Sequence, residues 1–359
     1  MDNNLVIIDG SMGEGGGQIL RTAIALSAVT GIPVKVVNIR AKRKNPGLRP
    51  QHLTAIKALV EVTSGRAKDL YVGSTSIEFY PGTIRGGNYF FDIGTAGSIS
   101  LLLQAILPAL AFAQEPVEAT IRGGTDVKMA PTIDYMRMVF APLLSLFGYN
   151  VEIELVRRGH YPRGGGIVKL RIRNPPRTLK PVDLTTRGTL KSIEGLSHCV
   201  RLPQHVAERQ ARSARAYIKS RLGIEPVIKL EFYEKGKDPH LGPGSGIALW
   251  AIFDRSIMGA DALGEKGKPA EKVGEEAASK LVDDILTGAS VDRFASDMLP
   301  VYMALASGTS YYSGARLTSH AETVFRLLEL ILGDNIRIEY SGGLNRPFKA
   351  SIRGMGLTR

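Results

Sequence analysis

The chain is poor in cysteine, with one in 359 residues, and holds a single tryptophan. A lone thiol, Cys199, excludes an intrachain disulfide and a cysteine-rich zinc site, and it fits a reducing compartment. Long apolar runs are also missing. The longest, Ile99 to Ala113, is interrupted by Gln104 and Pro108, and a bilayer takes ~20 residues. Asp2 and Asp9 bracket a very short apolar run, so no secretory leader is read there. Acidic side chains are outnumbered, 34 against 46 basic ones, for a net charge of +12. These shortages lead to the expectation of a soluble, cytoplasmic protein with no membrane contact and a polyanionic partner, either nucleic acid or nucleotides. What is present in quantity is core material: 44% of the residues are hydrophobic. The length suits two or three units at ~100–200 residues each.

The stretch from Gly13 to Arg21, Gly-Glu-Gly-Gly-Gly-Gln-Ile-Leu-Arg, follows the apolar run Leu5–Ile8 and opens onto a helical pattern. Consecutive glycines cost backbone entropy, and they mark strained dihedrals or a close approach of backbone to ligand. With N–H groups at a helix start they suit an anion. The spacing is neither a P-loop nor a dinucleotide fingerprint. A tight structural turn is the competing reading.

The order strand, glycine turn, helix, strand, loop, helix, two strands then recurs. In the first unit it runs through Leu5–Ile8, Gln18–Thr30, Pro33–Ile39, Pro50–Val62, Asp69–Val72 and Ser76–Tyr80. In the second it runs through Tyr89–Ile93, Ile99–Ala113, Pro116–Ile121, Pro131–Phe147, Asn150–Val156 and Gly166–Arg173. Ile32-Pro33-Val34 and Glu115-Pro116-Val117 anchor the repeat. A third copy is expected to take its first strand at Gly188–Gly195, its helices at Met298–Ala306 and Ser319–Leu332, and its closing strands at Ile336–Tyr340 and Phe348–Ile352. The intervening segment has a helix at Val206–Leu222, strands at Val227–Phe232 and Ile247–Phe253, and a glycine-rich, charged bridge at Gly259–Gly267. The fold class expected is α/β (α+β): three repeated βαβαββ-like units, each with two helices on a four-stranded sheet, plus a small inserted α/β domain. Residues 1–185 and 286–359 form the large domain, in repeats of about 1–82, 83–175, and 176–195 with 286–359. Residues 186–285 form the insertion.

Candidate chemistry gathers at the turns. Arg40 to Arg49 carries five cations and leads into Gln51 and His52 at a helix start, a pattern suited to gripping phosphate. A solvated basic loop is the bland alternative. His320 stands at the start of the last helix, with Ser319 as a plausible N-cap and Glu322 at capping-box spacing. The positive end of the helix dipole keeps such an imidazole neutral, and a neutral imidazole can attack phosphorus. His160, His198, His205 and His240 have no comparable context and read as structural or solvent-facing. Gly123-Gly124-Thr125-Asp126 with Pro131, and Arg293-Phe294-Ala295-Ser296-Asp297, resemble nucleotide contacts: ring and proline for a purine, carboxylate for ribose.

Together these residues bring the chain close to one family. The Gly13–Arg21 stretch, Pro46-Gly47-Leu48 with Gln51-His52, Arg85-Gly86-Gly87, Gly94 to Ser98, Gly123 to Asp126, and Tyr161-Pro162 with Gly164-Gly165-Gly166 resemble the RNA 3'-terminal phosphate cyclase family. The resemblance runs nearly end to end and is weakest in residues 210–285. It implies repeated units like the C-terminal domain of a bacterial translation initiation factor, plus a small insertion. It also implies ATP, a divalent metal (Mg or Mn) and RNA with a 3'-phosphate end. His320 matches the residue that takes AMP from ATP. Glu14 and Gln104 match residues near the nucleotide phosphates and the metal. Pro131 and Phe294 match the adenine sandwich; Arg293, Ala295, Ser296 and Asp297 belong to the same nucleotide-contacting segment. Arg21, Arg40, Arg43, Gln51 and His52 match the 3'-phosphate site. A second branch of the family lacks the histidine and serves ribosomal RNA processing; a non-catalytic RNA-binding factor is thus the alternative, and a phosphate-binding small-molecule transferase a third reading. Oligomeric state is not read from the sequence.

Overall fold

The structure is a computed structural model describing residues 5–234 and 236–359. Chain order runs β1 (Val6–Asp9), α1 (Gly17–Thr30), β2 (Val34–Val37), α2 (Pro50–Thr63), β3 (Arg66–Lys68) and β4 (Ile77–Tyr80). These strands form one sheet in the order β1-β2-β4-β3, with β1 and β2 parallel and the rest antiparallel. Val34 and Val36 of β2 alternate inward, as a sheet covered on one face requires. Helix α1 buries Ile19, Leu20, Ala23, Ile24 and Leu26, and it stops at Gly31, which takes the left-handed conformation. The strand expected at Asp69–Val72 is instead Arg66–Lys68. Asp69 has a positive φ of 58°, and the Tyr71 N–H turns back to its carbonyl, which ends the ladder.

The next unit repeats the path: β5 (Gly87–Asp92), α3 (Ile99–Leu110), β6 (Val117–Gly123), a helix in three parts, β7 (Glu152–Arg157) and β8 (Gly166–Ile172). The divided helix is α4 (Ile133–Tyr135), a π-helical turn (Met136–Phe140) and α5 (Ala141–Ser145). The sheet order, β5-β6-β8-β7, is that of the first unit.

Strand β9 (Asp183–Leu184) follows, and then a long excursion: β10 (Leu190–Val200), α6 (His205–Leu222), β11 (Val227–Glu231), β12 (Gly244–Phe253), β13 (Ile257–Leu263) and α7 (Ala270–Leu286). The third pass closes with α8 (Ala295–Leu305), β14 (Thr309–Gly314), α9 (Ser319–Leu332), β15 (Arg337–Ser341) and β16 (Phe348–Arg353). Its sheet is β9-β14-β16-β15, again the same order. Its first strand is therefore Asp183–Leu184, paired in parallel with Tyr311–Tyr312, and not the segment expected at 188–195. That segment instead begins β10, which lies inside the excursion's own sheet, β11-β10-β12-β13. The stretch read as a charged bridge, 259–267, is largely strand β13, whose small residues Gly259, Ala260 and Ala262 are buried.

Helices α1, α2, α3, α8 and α9 pack on one another between the sheets and share one core. Helices α6 and α7 cover the excursion's sheet and form a second core with Ile247, Leu249 and Ala251 of β12. The alternate residues of β12, Ala248 and Trp250, join the first core. This strand is apolar on both faces because its sheet lies between two packed layers.

Candidate active site

The glycine turn brings side chains from distant segments into contact. Gly13 has φ +50°, and a Cβ there would meet Thr323 Oγ1 of α9 at 2.4 Å. At Gly17 a Cβ would lie 2.3 Å from His52 Nε2 and 2.9 Å from Arg21 Nη1. Glycine at these positions therefore lets the starts of α1, α2 and α9 converge. His52 is buried, and its Nδ1 accepts the Arg49 N–H at 3.1 Å, so Nε2 carries the proton and faces the turn as a donor. Burial, reinforced by Arg21, Arg40 and Arg49, pushes its pKa down to about 3, so the ring is neutral. Burial likewise lowers Arg21 to about 10, and its Nε has no partner among the described residues. An unpaired guanidinium beside a neutral donor is a receptive site for an anion.

The basic loop folds back on this turn. Lys42 Nζ donates to the Gly13 carbonyl at 2.9 Å, and Arg43 Nη2 stands 3.8 Å from Glu14 Oε2. Arg40 does not join them: its Nη1 donates to the carbonyls of Asn45 (2.7 Å) and Gly47 (3.0 Å), holding the loop's shape. Gln51 accepts the Ser98 N–H at 3.1 Å and so ties α2 to the second unit's glycine turn.

His320 is the second residue of α9. The N-cap is Thr318, not Ser319: Thr318 is extended, and its Oγ1 accepts the Ala321 N–H at 3.0 Å. Ser319 instead donates to Glu14 Oε1 at 2.5 Å. Gln18 Nε2 donates to the His320 carbonyl at 3.3 Å, which fixes the amide with its Oε1 on His320 Nδ1. An amide oxygen only accepts, so Nδ1 carries the hydrogen and Nε2 keeps its lone pair. Burial lowers the His320 pKa, opposed by Glu14 and assisted by Arg21 and Arg43. Nε2 lies 3.4 Å from Glu14 Oε2. The Ser319 hydrogen bond holds the Glu14 pKa down against partial burial.

A cavity of about 400 Å³ opens beside His320, and Arg21, Gln104, Pro131, Phe294 and Asp297 line it. Phe294 is set by Asp292, a fully buried carboxylate that accepts the backbone N–H groups of Phe294 and Ala295, each at 2.9 Å, and the Tyr135 hydroxyl at 2.8 Å. The Tyr135 ring meets Phe294 edge-on at 5.7 Å. Burial pushes Asp297 up to about 8, although the Thr318 hydroxyl donates to it. Gln104 donates its amide to Met298 Sδ at 3.1 Å.

The segment 293–297 splits by helical phase. Phe294 and Asp297 reach the cavity, whereas Arg293 points away and clasps Asp284 of α7 at 2.6–3.0 Å. Ala295 and Ser296 are buried; Ser296 Oγ donates to the Asp292 carbonyl at 2.7 Å. Sequence reasoning missed Gln18, Asp292, and two cavity residues from the excursion, Asp261 and Lys280. Gln18 sits within the glycine motif and was the one most open to discovery; the others depend on contacts across more than a hundred residues of chain or on an unread helix.

No helix among the described residues is long and apolar enough to cross a membrane. The sequence model of the family described as RNA 3'-terminal phosphate cyclase matches residues 12–338. Curated relatives of that name include one from Hyperthermus butylicus, 55% identical over 98% of this chain and 98% of its own. Another, from Ignicoccus hospitalis, is 53% identical over 98% and 99% of the two chains. A third, from Thermococcus sibiricus, is 48% identical over 96% and 98%. The chain belongs to the RNA 3'-terminal phosphate cyclase family.

Proposed function

We propose that this protein converts the 3'-terminal phosphate of RNA to a 2',3'-cyclic phosphodiester at the expense of ATP, through an AMP carried on His320. The observation that carries the reading is the oriented, neutral imidazole: Gln18 holds Nδ1–H, so Nε2 presents its lone pair at the rim of a cavity that also holds Arg21. Nε2 attacks the α-phosphorus of ATP, and pyrophosphate leaves. An oxygen of the RNA 3'-phosphate then takes AMP from the histidine. The neighbouring 2'-hydroxyl attacks the 3'-phosphorus, AMP departs, and the ring closes. Adenylylation supplies the leaving group that a phosphomonoester lacks.

The lining supports an adenine nucleotide. Pro131 and Phe294 offer faces for the base, and Asp297 and Lys280 are polar groups for ribose and phosphate. Arg21, Arg43 and His52 would receive the RNA phosphate. Arg40 and Gln51 support that site through the loop and the second turn. A divalent cation, magnesium or manganese, suits the hard oxygen donors of Glu14 and Gln104, which would hold it together with the nucleotide's own phosphates. When bound, it neutralises charge on those phosphates.

The test is turnover of an RNA oligonucleotide ending in a 3'-phosphate. The proposal expects ATP-dependent conversion to an end that resists phosphatase, and no reaction on a 3'-hydroxyl. Salt-sensitive RNA binding that ignores the 3' end, without turnover, would favour a non-catalytic RNA-binding factor instead.

A further inference from the structure

Away from the cleft, Asp126, His160 and His198 meet in the seam between the second unit and the excursion. Asp126 ends the Gly-Gly-Thr-Asp turn after β6, His160 follows β7, and His198 lies in β10. All three are buried, at 2%, 7% and 1% exposure. The two imidazole Nε2 atoms are 3.2 Å apart. His160 Nε2 lies 3.8 Å from Asp126 Oδ2, and His198 Nε2 lies 4.0 Å from Asp126 Oδ1. One ligand atom from each residue falls within 4.8 Å of the others.

The surroundings are built for both rings. A Cβ at Gly244 would sit 2.0 Å from His160 Cγ, and one at Gly246 would sit 2.9 Å from His198 Cε1. These glycines are two apart on β12, so they clear the same face of the strand. Asp126 Oδ2 accepts from the Thr125 hydroxyl at 2.6 Å and from Arg158 Nη1 at 3.3 Å. Its Oδ1 is buried with no partner among the described residues, as is His198 Nδ1. Leaving a buried carboxylate oxygen bare is costly. A proton shared between the two imidazoles does not satisfy it.

Charge points the same way. Asp126, Asp134 and Glu231 surround Arg158, and Arg137 adds a second cation at Asp134. Three carboxylates thus share Arg158, Arg137 reaches only Asp134, and Asp126 Oδ1 has no cation of its own among the described residues.

We propose that Asp126, His160 and His198 bind a divalent transition-metal ion, zinc by the donor set, that staples the excursion to the second unit. Two imidazoles and a carboxylate are a borderline-soft set that suits zinc better than magnesium or manganese. Ligands at ~2.0–2.1 Å from a tetrahedral ion stand roughly 3.3 Å apart, close to the separation of the two Nε2 atoms. Asp126 Oδ1, 4.0 Å from His198 Nε2, closes by roughly 0.7 Å, and water takes the fourth position. The ion is structural: it fixes the seam between the turn after β6 and strand β10, and it is separate from the cation expected with ATP.

The test uses the full-length, untagged protein, stripped with chelator and then dialysed against zinc or cobalt(II) without nucleotide. The proposal expects one retained equivalent per chain, visible ligand-field bands for cobalt, and displacement of cobalt by zinc. A His160→Gln/His198→Asn double variant should retain less than a tenth as much, while Glu14→Gln retains the full equivalent. Wild-type protein that is folded by circular dichroism yet retains under a tenth of an equivalent overturns the proposal. So does a folded double variant that keeps the metal. Should the double variant not fold, X-ray absorption of zinc-loaded wild type decides: two imidazole ligands support the site, and any other count overturns it.

Discussion

Glu231→Gln removes one carboxylate from the network around Arg158 and with it an ion pair that joins the excursion to the body. Arg158 Nε and Nη2 donate to the two Glu231 oxygens at 2.9 and 2.7 Å, and the glutamate side chain is 23% exposed. Burial alone would raise its pKa, but the hydrogen bonds and charge of Arg158 outweigh burial and bring it from 4.5 down to about 2. A folded pKa below the unfolded one means stability that is present above the unfolded value and lost as pH falls through the folded one. At ~1.4 kcal/mol per pH unit the ionised carboxylate contributes about 3 kcal/mol near neutrality. Mutational costs of breaking buried pairs, ~3–5 kcal/mol, fall in the same range. Glutamine mimics the protonated acid, so the variant should lose about 3 kcal/mol at neutral pH and close the gap as pH falls from about 4.5 towards 2. Urea unfolding of both proteins across that range is the assay. A loss under ~0.5 kcal/mol at neutral pH, or a gap that widens in acid, would refute the reasoning.

Other perturbations probe the cleft. If Phe294 stacks on the base as proposed, Phe294→Ala should raise the KM for ATP about two- to twelvefold, from ~0.5–1.5 kcal/mol of lost stacking, while Phe294→Tyr stays within twofold. Arg43→Ala should weaken binding of 3'-phosphorylated RNA about ten- to a hundredfold through a lost charge-assisted hydrogen bond, with 3'-hydroxyl RNA much less affected in a fluorescence titration. Asp297 carries a raised pKa of about 8 because it is buried. Its ionisation therefore erodes stability as pH rises from 3.8 through 8, and Asp297→Asn should melt higher than wild type above pH 8 but not below about pH 4.

The repeat was legible because each full unit announces itself with a strand, a glycine turn and a helix at similar spacing. The third copy hid its first strand: Asp183–Leu184 is two residues long, and its helix begins only at Ala295. A pattern reader needs contiguity, and the excursion removes it. Helix α7 and strand β13 went unread, so the reach of Lys280 and Asp261 into the cavity could not be anticipated. Within the cleft, residue type was a good guide and direction was not. Arg293 and Phe294 are neighbours in sequence, but helical phase sends one to Asp284 and the other to the cavity. Arg40 and Arg43 look equivalent in the loop; the positive φ of Arg40, 55°, and its two carbonyl acceptors give it a different task. His160 and His198 come together only through tertiary packing, since 38 residues separate them.

The central claim is that His320 Nε2 accepts AMP. Incubating the protein with ATP labelled at the α-phosphorus, in the presence of magnesium and without RNA, tests it directly. The account expects about one label per chain, stable to alkali, released by acid, discharged on adding RNA with a 3'-phosphate, and absent from His320→Ala. Gln18→Leu, which removes the acceptor for Nδ1–H, should slow labelling without abolishing ATP binding. Label that persists on the His320→Ala protein, or that survives acid on the wild type, would contradict the account.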